Sequence, residues 1–214
     1  MAQYKIYTRI LGPIATNCYV IHEESNAQAV VIDPADQGSA IYQELTDKGL
    51  TVAGILLTHG HFDHMAGAKD LQEKSGAKIY AASAEKALCA DPALNLSLDF
   101  VGQRITVLPD VYLEDGEDVT LGGITFHTIF TPGHTEGSCC FYVEDADLLF
   151  AGDTLFCESI GRTDFPTSSV SSMRASLKKL MTLPESCTVY TGHGEVTAIG
   201  HEKKYNPFIS QGDL

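Results

Sequence analysis

The stretch LLTHGHFDHMAG, residues 56–67, places His59, His61, Asp63 and His64 within six consecutive positions directly behind an apolar run. Histidine and aspartate are poor strand formers and middling helix formers, so local propensity does not account for the crowding. Unpaired imidazoles just past a buried strand would also be costly. A metal accounts for both the residue types and their spacing. Neutral imidazole and carboxylate are the ligands zinc and iron prefer among side chains lacking sulfur. On an extended segment residues 59 and 61 share a face, and Asp63 and His64 follow at an expected helix start. One segment can thus address two metal positions, whereas a single tetrahedral site would be nearly filled by it alone.

Three further candidates each lie just past an expected strand: His134 in TPGHTEG, Asp153 in LLFAGDT and His193 in VYTGHGE. Catalytic groups commonly sit on loops at strand ends, held by a rigid sheet. Taken singly, each serves equally well as a turn histidine or a capping aspartate. Together with the hexapeptide they read as ligands of a second ion. His22, His127 and His201 lack such a setting and are excluded as ligands. His127 falls inside a strand pattern, where it is expected to be exposed or paired.

The elements that must position these groups follow from the apolar pattern. YKIYTRIL, NCYVIHE and AQAVVID are short, rich in Val, Ile and Tyr, and separated by turn residues, which predicts strands. A helix is expected from about Ser39 to Lys48, ended by Gly49. TVAGILLT reads as a strand covered on both faces. Ala66, Leu71 and their neighbours predict a helix running to Gly76, then the strand AKIYAA and a short helix from Ser83. Residues 91–102 show no period. RITVL, VYLED, EDVTLGG, ITFHTIF, SCCFYVED and DLLFAG are then expected strands. A helix over TSSVSSMRASLKKLMTL is expected to be capped by Thr167 or Ser168 and to stop before Pro184. CTVYTG is a last strand, with a short helix after Val196. GILLTHGH and TVYTGHGE echo one another, hinting at a duplicated two-sheet layout with helices outside.

Composition bounds the function. The chain has 214 residues, 44% apolar and 20% charged, and reads as one domain spanning 1–214. Its formal charge is −14, from 14 Lys+Arg against 28 Asp+Glu, with no basic cluster, so neither nucleic acid nor an anionic membrane surface is expected as a partner. No signal peptide or membrane span is expected, and the expected compartment is the cytoplasm. The six cysteines, at 18, 89, 139, 140, 157 and 187, form no CxxC pair and are expected as free thiols. Cys139 and Cys140, being adjacent in a strand, should point to opposite faces. The sequence leaves oligomeric state open.

HxHxDH followed by a His, an Asp and a His resembles the metallo-β-lactamase superfamily. THGHFDH, TPGHTEGS, GDTLF, GRTDFP, TGHG and the closing YNPF resemble more narrowly its type II glyoxalases, the hydroxyacylglutathione hydrolases, over nearly the whole chain. The resemblance implies an α/β (α+β) fold, a four-layer αββα sandwich of two mixed β-sheets flanked by helices, with a two-metal site at one edge. It implies that His59, His61 and His134 hold the first ion and Asp63, His64 and His193 the second, with Asp153 bridging. Asp33 matches the family's aspartate that orients a ligating imidazole; the usual Asp-Pro-Gly is here Asp33-Pro34-Ala35. Two divalent ions are implied, zinc first, with iron or manganese as alternatives.

The implied activity is hydrolysis of a small-molecule thioester such as S-lactoylglutathione. A hydroxide shared by the two ions would attack, and Asp63 would receive its proton. A thiolate leaves readily because a thiol has a pKa of about 8.5. Arg162, in GRTDFP, either meets a substrate carboxylate or pairs with Asp164. Full-length members grip glutathione with a C-terminal helical extension. His193 lies 21 residues before the last residue, so the chain resembles a shorter subgroup and the thiol stays open. The same fold also supports a mononuclear-iron persulfide dioxygenase, which uses only ligands of the His59, Asp153 and His134 type, or a lactonase. A structural metal scaffold is disfavoured, because it has no use for seven ligands and an open edge. Relatives that are secreted β-lactamases often carry Cys where Asp153 stands. Oxygen-reducing di-iron relatives carry Glu at the position of His61.

Overall fold

Alternating apolar side chains build two sheets that share one dry interior. The computed structural model describes residues 3–210; residues 1, 2 and 211–214, at the ends of the expected 1–214 domain, lie outside the described residues. The first sheet runs in the order β1 (Tyr4–Leu11), β2 (Thr16–Glu23), β3 (Gln28–Ile32), β4 (Thr51–Leu57), β5 (Ile79–Ala82) and β6 (Val111–Leu113). Its first two pairings are antiparallel and the next three parallel. The second sheet contains β7 (Asp118–Leu121), β8 (Ile124–Phe130), β9 (Cys139–Val143) and β10 (Leu148–Gly152). A small hairpin, β11 (Leu155–Phe156) with β12 (Ser159–Ile160), follows. The chain then returns through β13 (Thr188–Thr191), parallel to β10, and β14 (Thr197–Ala198), antiparallel to β13.

The helices α1 (Gly38–Asp47), α2 (Phe62–Met65), α3 (Ala68–Ser75), α4 (Lys86–Ala90), α5 (Ser97–Val101), α6 (Val170–Leu180), α7 (Ile199–Tyr205) and α8 (Pro207–Ser210) complete the described elements. Three apolar clusters define four layers. On β2, Cys18 and Val20 face Ile41 and Leu45 of α1 and Ala68 and Leu71 of α3. Tyr19 and Ile21, on the opposite face of the same strand, meet Phe126, Phe141 and Phe150 between the sheets. Beyond the second sheet, Cys140, Tyr142 and Leu149 pack under Met173, Leu177 and Leu180 of α6 and Ile199 of α7. This is the expected αββα sandwich of two mixed sheets. Cys139 and Cys140 do take opposite faces, and all six cysteines are free. Each buried Phe side chain contributes roughly 1.5–3 kcal/mol of burial. Among the described residues, no helix is long and apolar enough to cross a membrane.

Four expectations are corrected. RITVL is not a strand; residues 103–109 are irregular. Its backbone groups bond instead to the neighbouring loop: Asn95 Nδ2 donates to the Ile105 carbonyl, and the Ile105 N–H donates to Ser97 Oγ. Residues 91–102, read as irregular, contain the single turn α5, too short to show a period. The helix expected to run to Gly76 is split at Gly67 into α2 and α3, and Gly76 closes it at φ 71°. Helix α6 is capped by Ser169, whose Oγ accepts from the Ser172 N–H, rather than by Thr167 or Ser168. The β11–β12 hairpin was not foreseen, because two-residue strands carry no alternation to read.

Candidate metal centre

Every residue singled out for chemistry lies just past a strand, and the strands end on one rim. Asp33 follows β3, and His59 and His61 follow β4. Asp63 and His64 sit in the turn α2. His134 follows β8, Asp153 follows β10 and His193 follows β13. The two sheets are tied together here: the Asn17 N–H at the start of β2 donates to the Gly192 carbonyl at 2.7 Å, and Tyr19 Oη donates to the Thr191 carbonyl at 2.7 Å.

The seven expected ligands converge. His59, His61 and His134 form one group, Asp63, His64 and His193 a second, and His59, His64 and Asp153 a third; within each, the ligand atoms lie within 4.8 Å of one another. His61 Nδ1 faces His134 Nε2 at 2.9 Å. Asp63 Oδ2 lies 3.4 Å from His193 Nε2 and 3.5 Å from His64 Nε2. Asp153 stands between the groups, with Oδ2 3.4 Å from His134 Nε2 and Oδ1 3.3 Å from His64 Nε2. Six of the seven are buried, and His193 is partly exposed. Gly192 makes room for this packing, since a Cβ there would collide with Asp153 Oδ1.

Hydrogen bonds outside the cluster turn the imidazoles inward. His134 Nδ1 lies 2.9 Å from the Arg162 carbonyl, which only accepts, so the proton is on Nδ1 and Nε2 offers its lone pair to the centre. Asp33 Oδ2 accepts from His64 Nδ1 at 2.9 Å and from Thr58 Oγ1 at 2.7 Å. With its hydrogen spent on Asp33, Thr58 Oγ1 accepts from His59 Nδ1 at 3.2 Å. Asp33 thus orients His64 directly and His59 through Thr58, and the Nε2 lone pairs of both point at the cluster.

Electrostatics agree with a cation in the middle. Burial, and then the imidazoles of His64, His134 and His61, hold His59 well below the usual histidine range. Burial and His134 bring His61 down to about 3. Both are neutral, lone-pair-bearing ligands at neutral pH. Burial pushes the Asp63 carboxyl up, but His64 and the hydrogen bonds from His193 and Thr16 outweigh it and hold Asp63 at about 2. Burial also opposes charge on His64, yet Asp153, Asp63 and Asp33 raise it well above its ordinary value. Burial likewise opposes charge on His193, while hydrogen bonds with Asp153 and Asp63 raise it to about 9. His59 Nε2, His61 Nε2 and Asp153 Oδ1 are buried without a hydrogen-bond partner among the described residues. Orphaned polar atoms at this depth are costly unless something absent from the chain satisfies them. Histidine nitrogens with carboxylate oxygens suit divalent zinc, iron or manganese. The residues present therefore fit a pair of divalent ions.

Sequence reasoning missed three supports. Glu85 is fully buried; its Oε2 accepts from the Gly60 N–H at 2.6 Å, and its Oε1 accepts from Thr135 Oγ1 at 2.6 Å and the Gly137 N–H at 2.9 Å. It clamps the His59–His61 turn to the His134 loop. Thr16 Oγ1 donates to Asp63 Oδ2 at 2.8 Å, and Thr58 relays to His59 as described. Glu85 and Thr16 carry no local sequence signal, since their partners lie 25 to 52 residues away, and Thr58, though next to His59, depends on Asp33 25 residues before it. The excluded histidines lie outside this cluster: His22 bonds the Glu23 carbonyl and His127 pairs with Asp118 at 2.7 Å, but His201, which pairs with Glu158 at 3.0 Å, stands with Glu158 and Cys157 in a separate, more exposed group of three possible donors.

The profile of the Metallo-beta-lactamase superfamily matches residues 11–193. The chain belongs to the metallo-beta-lactamase superfamily. Within it, the chain is 35% identical over 202 residues to the hydroxyacylglutathione hydrolase GloC of Haemophilus influenzae, covering 91% of this chain and 92% of that one. It resembles the crystal structure of BLEG-1 B3 metallo-beta-lactamase with a TM-score of 0.91 at 37% identity, over 96% of this chain and 100% of the other. It also resembles TTHA1623 in a di-iron-bound form, with a TM-score of 0.83 at 34% identity, over 94% and 99% of the two chains. The superfamily's fold binds divalent metals, and the rim described above carries the donors for it. A cleft of about 360 Å³ opens over His61, Asp63, His134, Asp153 and His193.

Proposed function

We propose that this metallo-hydrolase fold cleaves thioesters at a dinuclear centre. His59, His61 and His134 would hold one divalent ion and Asp63, His64 and His193 the other, with Asp153 shared. The observation that carries this is the convergence of seven donors from both sheets, three of whose atoms have no partner among the described residues. Two such ions, when bound, would supply an acidified water and a Lewis acid for a carbonyl oxygen.

The remaining work falls to the chain. Asp33 and Thr58 fix the ring orientations of His64 and His59, so that Nε2 of each is aimed at the centre. Asp63 is held ionised by its neighbours and by Thr16, which leaves it able to take up a proton released at the centre. Phe165 stands edge-on to His61 at 5.4 Å and to His134 at 5.9 Å, and so limits water over that side of the site. A thiolate departs without a dedicated general acid, since a thiol ionises at about 8.5. Among the described residues, the carboxyl groups that line the cleft are those of Asp63 and Asp153, both members of the donor set. The likeness to GloC supports the thioester reading, and the likeness to the di-iron form of TTHA1623 supports two ions.

The test is elemental analysis together with an assay on S-D-lactoylglutathione and S-acetyl-N-acetylcysteamine. Two ions per chain and thiol release that disappears in a folded His61→Ala protein are expected. One iron per chain with oxygen uptake on a persulfide would favour the dioxygenase instead. The likeness to BLEG-1 favours a second reading, β-lactam hydrolysis at the same centre, and a chromogenic cephalosporin in the same assay separates it.

A further inference from the structure

The cleft over the centre has walls of one character. Phe62, Leu96, Phe100, Phe156, Ile160 and Phe165 line it. Their rings are linked: Phe62 to Phe100 at 6.0 Å, Phe100 to Phe165 at 6.3 Å, and Phe156 to His193 at 6.0 Å. Phe100 is 52% exposed at the mouth, where its ring is free to cover a ligand in the cleft. A few polar groups among apolar and aromatic walls are the usual composition of a site for a small, largely apolar ligand.

The charges of the cleft point the same way. Among the described residues, Arg162 is the one Lys or Arg that lines it. Its guanidinium is already matched: Nε and Nη2 donate to the two oxygens of Asp164 at 2.9 and 2.8 Å. It also lies over the Phe165 ring at 4.4 Å, so Arg162 presents its flat face and stem as wall. Asp63 and Asp153 face the same space, but as donors to the two ions they leave no free negative charge there. A thiol carrier with two free carboxylates, as glutathione has, would meet no unpaired Lys or Arg among the residues that line the cleft. A volume of about 360 Å³ also lies at the small end of the usual range for ligand pockets, roughly 300–1,000 Å³. It encloses a compact acyl group rather than a peptide carrier.

On the thioesterase reading above, we propose that the substrate is a thioester with an apolar, aryl or branched acyl group on a thiol that carries no carboxylate. The aromatic wall grips the acyl group, and Arg162 with Asp164 forms a neutral rim rather than an anion site.

The experiment uses the metal-loaded protein and three substrates: S-D-lactoylglutathione, S-D-lactoyl-N-acetylcysteamine and S-(3-phenylpropanoyl)-N-acetylcysteamine. Each kcat/KM is divided by that thioester's own rate with hydroxide. The expected ratio rises at least tenfold from the first substrate to the third, with the second between them. Phe100→Ala should bring the third substrate toward the second, mainly through KM. A glutathione ester that equals or exceeds the others overturns this inference and leaves the thioesterase reading standing. No hydrolysis of any of the three by protein holding two ions overturns both.

Discussion

Glu85 has no exposed surface, yet it holds two loops that together carry three of the expected ligands. Removing its carboxyl orphans the buried N–H groups of Gly60 and Gly137, each costing about 1–3 kcal/mol, while Thr135 Oγ1 keeps Ser138 Oγ at 2.6 Å. Glu85→Ala is therefore expected to lower stability by several kcal/mol and to weaken metal binding; urea unfolding and a competitive metal titration measure the two. Glu85 also gives a pH prediction. Burial pushes its carboxyl up to about 7 from 4.5, against the lowering by Thr135, Gly60 and Gly137. The folded chain thus keeps a proton that the unfolded chain has lost between those values. Its contribution to stability is complete below about 4.5 and is lost as pH rises through about 7, with a slope of at most about 1.4 kcal/mol per pH unit. The difference in unfolding free energy between the wild type and Glu85→Gln should shrink from pH 5 to pH 7.5; a constant difference sinks the claim. Asp33 acts through its partners. Asp33→Ala should cost about 10–100-fold in metal affinity while the fold persists, read by the same titration. The convergence of the seven candidates was legible because each is a His or Asp in a turn that follows an apolar strand, with Asp63 and His64 in α2. Glu85 was not, because within SAEKALCA it reads as an ordinary polar residue of a short helix and its partners are remote in sequence.

Long, regular elements were legible for the same reason that they are stable. β2, β4, β8 and β9 show apolar runs, and α1 ends where Gly49, at φ 73°, closes it. Elements whose conformation is dictated by remote partners were not. RITVL has strand composition, but Asn95 and Ser97 claim its backbone groups and Val107 sinks into the outer cluster. Around α6, three adjacent hydroxyls competed for one cap, and local pattern does not separate them. Ser169 takes the cap, while Ser168 Oγ donates to the His134 carbonyl at 2.6 Å. The two serines therefore predict different phenotypes. Ser169→Ala should cost about 1 kcal/mol, a fall in Tm of roughly 2–4 °C, with metal affinity retained. Ser168→Ala should weaken metal binding, because it frees the backbone that carries His134. A calorimetric scan with a metal titration on each variant checks the contrast, and equal effects on metal affinity would refute it.

At the scale of the molecule, the centre is a joint between sheets. The first sheet supplies His59, His61, Asp63 and His64, and the second supplies His134, Asp153 and His193. The central cluster, with Phe126, Phe141 and Phe150, holds the sheets face to face but leaves their rim to these side chains. Without a cation, that rim sets buried imidazoles against one another and strands His59 Nε2, His61 Nε2 and Asp153 Oδ1. A ligand that binds only the folded state stabilises it by about 4.1 kcal/mol per site at a thousandfold excess over Kd. Two occupied sites should therefore raise Tm by on the order of 15–30 °C for a chain of this size. The expected observation is a large fall in Tm after exhaustive chelation, with full recovery at two equivalents of zinc or iron. His193→Ala should lose one equivalent and about half of that gain, since His193 belongs to one group of donors and leaves His59, His61 and His134 in place. A chelated protein that melts where the loaded one does would mean that the rim is held by the chain alone, and the dinuclear reading would fall with it.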